Sequence, residues 1–445
     1  MPVPGFGGGP LDLPLDFDAV RRGFYTDQYF NNIRAILTRL AGEDARFGGT
    51  PDAPATKEIG PEAAAAFRPG DAEVEMQIFH KKEEAVTCGL EHALRVLAEC
   101  TGVIEGGRFV NTAARLEVEA LRDGDISTAR SPVLRIRGRY RDFAHLETVL
   151  LGLLGRQSKI ATNTFRLLRA GGGKPVMFFA GRFDLPQTQA ADGYAYKVGV
   201  DAYNRRHGAA APAMVATPAQ ASLWGGSAGG TTAHAFILCF LRDTTAAMLE
   251  FARLAPPETP RVALVDSSGD CVGDSLRTAA AFFERHWTLR ARGRARDAEN
   301  FRLFGVRVDT AEDVIDAALG PNGRPGVTPE LTGTLRRALD EYPSKRRWKD
   351  DEQAAAARDF FRSVRIVASG GFDESKIARF EAEDACVDFY GVGSAFFRSG
   401  QVDHTADVVR VKVGGEWREC AKKGRGVWSN PDLAPRGLTR SEEDA

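Results

Sequence analysis

The stretch VRIVASGGFDESKIARFEAEDACVDFYGVGS, Val364–Ser394, decides the fold. An apolar run, Val364–Ala368, ends in Ser369, Gly370 and Gly371. Asp373 then opens a segment with helical spacing, Glu374–Glu383. A second apolar run, Val387–Tyr390, ends in Gly391, Gly393 and Ser394. Strand, tight turn, helix, strand is a βαβ unit, whose two strands lie parallel in one sheet. The same texture extends toward the N-terminus. Strands are predicted at Val176–Phe179, Ala213–Ala216, Val262–Val265 and Leu303–Val308. Helices are predicted at Ala190–Asn204, Ala235–Leu254, Asp274–Trp287, Ala311–Leu319 and Pro329–Glu341, with two more, His145–Leu154 and Lys159–Arg169, leading in. Six or seven such units over ~250 residues fit a closed α/β barrel better than an open sheet.

The first third of the chain reads differently. Met1–Asp16 is Gly/Pro-rich and predicted irregular, and Ala41–Pro69 is predicted to be a loop or linker. Helices are predicted over Tyr25–Leu40 and Glu83–Cys100. Strands are predicted at Glu73–Phe79 (EVEMQIF), which alternates, and at Pro132–Arg137. This is an α+β pattern without chemistry of its own.

Composition limits the partners. The 445 residues carry 59 Lys+Arg against 60 Asp+Glu, a net charge of −1, so no global field holds a polyanion such as DNA. The basic run Arg290–Arg296 and the cluster Lys345–Asp351 read as solvated surface charge. No apolar stretch approaches the ~20 residues of a membrane span, and MPVPGFGGGP has no secretory-signal pattern. The six cysteines, Cys88, Cys100, Cys239, Cys271, Cys386 and Cys420, never form CxxC. Their scatter suits the reduced thiols of a cytoplasmic enzyme better than a zinc site or a disulfide framework.

In a parallel barrel, chemistry gathers where the strands end. Gly370 and Gly371 after one strand, and Gly391, Gly393 and Ser394 after the next, are candidate phosphate cradles, because glycine lets backbone N–H groups approach an anion. The alternative is a tight βα turn with Asp373 as helix N-cap. Asp266 and Asp309 end the runs ALVD and VRVD, where a carboxylate can meet a sugar hydroxyl or Mg²⁺, or cap the next helix. His234 follows the Gly-rich GGSAGGTTA, a setting for a base or a phosphoryl-carrying nucleophile. Arg182 after VMFFAG offers a fork for a carboxylate or phosphate.

These motifs, in their order, resemble the nicotinate phosphoribosyltransferases. The likeness runs from about Tyr25 to Gly426. It rests on TDQYF (Thr26–Phe30), HLETVLLGLLGRQSKIAT (His145–Thr162), FFAGRFD (Phe178–Asp184), QAADGYA (Gln189–Ala195), GTTAH (Gly230–His234), ALVD, FGVRVDT (Phe304–Thr310), SGGFDESKI (Ser369–Ile377) and YGVGS (Tyr390–Ser394). The resemblance implies the irregular α/β barrel of type II phosphoribosyltransferases plus an α+β sandwich domain. The sandwich would be built from 1–140 with 400–445, and the barrel from 141–399. It implies an ATP-coupled transfer from 5-phosphoribosyl-1-pyrophosphate (PRPP) to nicotinate, with Mg²⁺ bound mainly through PRPP near Asp266 and Asp309, in a homodimer.

The implied roles follow residue by residue. His234 would be the phosphorylated histidine, with Asp266 and Asp309 as strand-end acids near the ribose and metal. Tyr29 would pack on the pyridine ring, often from the partner subunit, and Arg182 would face its carboxylate. Thr231, Ser158 and Thr162 would be further substrate contacts. Ser369, Gly370, Gly371, Gly391, Gly393 and Ser394 would hold the ribose 5-phosphate. Two departures stand out. Phe183 follows Arg182 where many members have a second arginine, and Ala235 follows His234 where many have Glu or Ser. The rival activities are nicotinamide or quinolinate phosphoribosyl transfer, and a non-catalytic phosphosugar-binding barrel.

Overall fold

The computed structural model describes residues 15–49, 58–398 and 400–438. The expected irregular start and the middle of the expected loop over 41–69 thus lie largely outside the described residues. The chain divides into two compact units, 1–162 with 197–202 and 400–445, and 163–196 with 203–399. The crossing at 162/163, rather than 140/141, falls inside one helix. The expected pair His145–Leu154 and Lys159–Arg169 is this single helix, Glu147–Ala170. Gly152 and Gly155 each cost only about 1 kcal/mol in a helix interior, which the burial of Leu150, Leu154, Ile160 and Ala161 offsets.

The first unit is built on a six-stranded antiparallel sheet. Its order is Glu416–Glu419, His404–Val413, Glu73–His80, Pro132–Arg139, Glu117–Ala120 and Ala434–Pro435. The alternation of Glu73–His80 sends Val74, Met76 and Ile78 into a core with Leu90, Leu94 and Leu97 of the helix Leu90–Cys100. The other face is also covered. Gln77 Nε2 donates to the Gly426 carbonyl at 2.8 Å, and Trp428 meets Phe79 edge-on. Glu75, fully buried there, is held by Arg137 at 2.8 Å and Arg410 at 3.3 Å. The helix expected over Glu83–Cys100 starts only at Leu90, because Ala85–Val86 pairs as a strand with Ile126–Ser127.

The second unit is the barrel. Five strands of three or four residues lie parallel in the order Val176–Phe178, Phe389–Val392, Arg365–Ala368, Gly305–Val308 and Val262–Leu264. Two single-residue bridges continue the ring, Phe178 to Val215 and Val215 to Ala228. Thr232 then closes it. Its hydroxyl donates to the Val262 carbonyl at 3.2 Å and accepts the Leu264 N–H at 3.3 Å. The strand expected at Ala213–Ala216 shrinks to this bridge because prolines flank it, and Thr217 caps the short helix Pro218–Ala221.

Other expectations shift for local reasons. The helix expected over Ala235–Leu254 is two, His234–Leu238 and Thr244–Leu254. Leu241 and Arg242 turn left-handed between them, and Asp243 caps the second. Ala311–Leu319 holds only a 3-10 turn, Ala317–Leu319, because buried Asp316 accepts the Cys271 and Ala318 N–H groups instead of letting a helix pass. Lys345–Asp351 leads into an unforeseen helix, Asp351–Ser363, capped by Asp350. Among the described residues no helix is long and apolar enough to cross a membrane.

Two histidines of the first unit are buried and neutral. Burial, then the charge of Arg34, lowers His145 to about 3. Burial, then His80, lowers His404 to about 3. Unfolded, each imidazole takes up a proton near its ordinary 6.5. Between those values the unfolded chain binds more protons, so stability falls as pH falls. His404→Leu is expected to flatten the dependence of unfolding free energy on pH between 6 and 5 by about 1.4 kcal/mol per pH unit. Urea titrations of both proteins measure this, and equal slopes contradict it.

Candidate functional site

The mouth of the barrel is organised by Arg307, in the middle of the strand Gly305–Val308. Val306 and Val308 are fully buried, and strand alternation turns Arg307 the other way, across the strand ends. Its Nε donates to Ser369 Oγ at 2.8 Å, one terminal nitrogen to Thr231 Oγ1 at 2.8 Å, and the other to Asp309 Oδ2 at 2.7 Å. Ser369 Oγ in turn donates to Asp309 Oδ1 at 2.7 Å. The guanidinium also lies 5.3 Å from the centre of the Phe179 ring. The structure thus brings together Thr231, Asp309 and Ser369, from three segments far apart in sequence.

The glycines beside this network are shaped for close approach. Gly370 has φ +99° and Gly371 φ +63°, a conformation that favours glycine. Among the described residues neither N–H donates a hydrogen bond. Asp373 caps the helix Glu374–Ala382 by accepting the Lys376 N–H at 2.8 Å, as the turn reading expects. Free donors and a capped helix coexist here. The second glycine group differs from expectation. Gly391 is buried inside the strand Phe389–Val392 rather than after it. A Cβ there would come within 2.7 Å of the Phe179 ring and 3.0 Å of Ser369. Gly393 makes room for the Phe183 ring, which a Cβ would meet at 2.3 Å. Ser394 opens the short helix Ala395–Arg398 and accepts the Phe397 N–H on its carbonyl.

His234 begins the helix His234–Leu238, and its Nε2 lies 2.8 Å from Asp266 Oδ2, past the end of the strand Val262–Leu264. The histidine is half-exposed and the aspartate nearly buried. Asp266 Oδ1 is buried with no partner among the described residues. Arg182 stands on the exposed loop 181–185, 5.5 Å from the Phe183 ring and with no ion pair among the described residues.

Three expected substrate contacts belong to the first unit. Tyr29 is 55% exposed on the helix Gln28–Gly42, its hydroxyl 3.4 Å from Asp27 Oδ2. The TDQYF segment is pinned by Thr26 Oγ1 donating to the His145 carbonyl and by Thr148 Oγ1 donating to Asp27 at 3.0 Å. Ser158 and Thr162 are buried and committed elsewhere. Ser158 Oγ accepts the Cys88 N–H at 3.0 Å and donates to its carbonyl at 3.1 Å, and Thr162 Oγ1 accepts the Val86 N–H at 2.9 Å. Their hydroxyls hold the backbone at 86–88 rather than facing a cleft.

Arg307, Phe179 and Lys376 were not singled out from the sequence. An arginine inside an otherwise apolar parallel strand was the available signal for the first. Arg307→Met is expected to cost about 2–4 kcal/mol, because it strands the Asp309 carboxylate among groups it was paired with. Arg307→Met/Asp309→Leu should recover part of that loss in chemical denaturation. A double variant no more stable than the single one contradicts the pairing.

Known proteins share parts of this sequence and its fold. Residues 61–158 match the family described as quinolinate phosphoribosyl transferase, N-terminal domain. The nicotinate phosphoribosyltransferase pncB1 of Mycobacterium tuberculosis is 26% identical over 303 residues, 66% of this chain and 53% of that protein. The chain thus spans about half the length of the curated relatives it matches. Among solved structures, the nicotinate-nucleotide pyrophosphorylase of Pyrococcus furiosus superposes with a TM-score of 0.61 at 26% identity, covering 92% of this chain and 80% of that one. Human nicotinic acid phosphoribosyltransferase shares the fold, with a TM-score of 0.55 at 18% identity over 80% of this chain and 74% of its own. A barrel closed through Thr232, a polar rim on consecutive strand ends and these likenesses agree: the chain is similar to the type II phosphoribosyltransferases in fold and in part of its sequence.

Proposed function

We propose that the protein is a nicotinate phosphoribosyltransferase, forming nicotinate mononucleotide and pyrophosphate from nicotinate and PRPP with ATP hydrolysis. The observation that carries this reading is the juxtaposition on one barrel rim of two unbonded glycine N–H groups with the Arg307–Asp309–Ser369 network. Gly370 and Gly371 donate to the ribose 5-phosphate, their positive φ being a conformation that glycine adopts readily. Gly393 and Ser394 stand on the adjoining strand end. Arg307, its charge paired with Asp309, keeps the mouth in order where pyrophosphate leaves.

The displacement needs no general base. The pyridine nitrogen lone pair forms the bond to ribose C1 while the C1–O bond to pyrophosphate breaks, and the pair leaves on that oxygen. In this reading Asp309 and Asp266 face the cationic charge that develops on the sugar. The buried, unpartnered Asp266 Oδ1 fits a ribose hydroxyl or Mg²⁺ carried in with PRPP. In this reading the ion enters bound to PRPP. It supplies neutralisation of the departing pyrophosphate.

His234 takes the γ-phosphoryl group of ATP on a ring nitrogen, releasing ADP, and water later returns it as phosphate. Asp266, at 2.8 Å, orients the ring for this. Arg182, an exposed guanidinium with no ion pair among the described residues, faces the single carboxylate of nicotinate. The exposed Phe24, Tyr25 and Tyr29 fit contact with a second copy of the chain, consistent with a homodimer that lends Tyr29 to the ring.

Purified protein with PRPP, Mg²⁺ and each of nicotinate, nicotinamide and quinolinate tests the substrate. Nicotinate is expected to be preferred at least tenfold in kcat/KM, and preference for quinolinate would overturn the assignment. His234→Ala is expected to keep basal transfer within tenfold while losing ATP stimulation. Stimulation that survives the substitution contradicts the phosphohistidine.

A further inference from the structure

The glycine turn does not hold its shape alone. Lys376, in the first turn of the helix Glu374–Ala382, folds back so that its Nζ donates to the Gly370 carbonyl at 2.7 Å. Its ammonium also lies 4.5 Å from the centre of the Phe372 ring, which is buried. Its own N–H is taken by Asp373, so both ends of the residue are fixed against the turn. Glu312, Arg379, Asp373 and Asp309 are the charged groups that act on it. Glu312, Gly371, Ser375, Lys376 and Arg379 together line an open cleft of about 600 Å³.

A peptide unit is planar and trans, so its C=O and N–H point in opposite directions. Two adjacent glycines with positive φ have little intrinsic preference for one orientation of the peptide between them. A donor fixed on the Gly370 carbonyl removes that freedom. It sets the Gly371 N–H facing away from the ammonium, as an unbonded donor.

We propose that Lys376 is a positioning residue for the phosphate cradle, holding the Gly370–Gly371 peptide in the orientation that presents the Gly371 N–H to the 5-phosphate of PRPP. This rests on the reading of that turn as the phosphate site. Lys376 acts through the peptide, before any ligand arrives, so its loss weakens PRPP binding and leaves the chemical step and nicotinate binding alone. Arginine can reach the same carbonyl with its own N–H groups, whereas methionine keeps the packing on Phe372 and has no donor.

Calorimetric titration of full-length wild type, Lys376→Met and Lys376→Arg with PRPP and Mg²⁺, alongside nicotinate turnover, separates the possibilities. Lys376→Met is expected to raise the PRPP Kd and KM about tenfold. Its kcat and nicotinate KM should stay within twofold and its melting temperature close to wild type. Lys376→Arg is expected to recover most of the affinity. An unchanged PRPP Kd in Lys376→Met overturns the proposal even if wild type turns nicotinate over. A tenfold loss of PRPP affinity in a protein that does not use nicotinate upholds Lys376 and overturns the substrate assignment. Wild type that fails to bind PRPP overturns both.

Discussion

One guanidinium ties the barrel mouth together. The barrel strands are three or four residues long, too short to fix their relative heights by ladder hydrogen bonds alone. Arg307 supplies what they lack. Its fork reaches Ser369 on the neighbouring strand end, Thr231 beside the closing segment and Asp309 on its own strand. Next to Thr231, the Thr232 hydroxyl closes the ring by taking the place of two ladder bonds with Val262 and Leu264. A charge at this depth is tolerable because every nitrogen of the fork is used. Moving any one partner would leave a donor or a carboxylate without its mate.

The site inherits its order from that constraint. Ser369 is the residue before Gly370, so fixing its side chain fixes where the glycine turn departs from the strand. Lys376 then sets the orientation of the turn's own peptide from the helix side. Beside the neighbouring strand end, His234 and Asp266 form a second pair whose geometry depends on the same closing segment, since Thr231 and Thr232 precede the histidine by only a few residues. The glycine turn, the Arg307 fork and the His234–Asp266 pair are thus consequences of one closed ring rather than three separate devices.

Much of this was legible in the residues. The alternation of apolar runs and helical spacing between Val176 and Tyr390 gave the parallel barrel, because such runs have few other ways to be buried. The grouping of glycine and aspartate at strand ends marked the rim. What stayed hidden was partnership. Ser158 and Thr162 look like free hydroxyls in the sequence, yet their helix places them against the backbone of 86–88, a contact across 70 and 76 positions. Gly391 looks like a loop glycine, yet it is a strand residue whose missing side chain accommodates the Phe179 ring. Arg307 carries no motif of its own, since its meaning lies in three residues from distant segments. Helix ends moved where a single side chain captured backbone donors, as Asp316 and Asp243 do.

The central claim is that the unbonded N–H groups of the Gly370–Gly371 turn receive the phosphate of PRPP. The most direct measurement is the amide spectrum of protein labelled with ¹⁵N only at glycine, titrated with PRPP and Mg²⁺. The Gly370 and Gly371 resonances are expected to move strongly downfield at saturation, as hydrogen-bonded amides do. Gly414 and Gly415, at a hairpin turn of the first unit, should stay in place. PRPP that saturates the protein while Gly370 and Gly371 do not shift would contradict it.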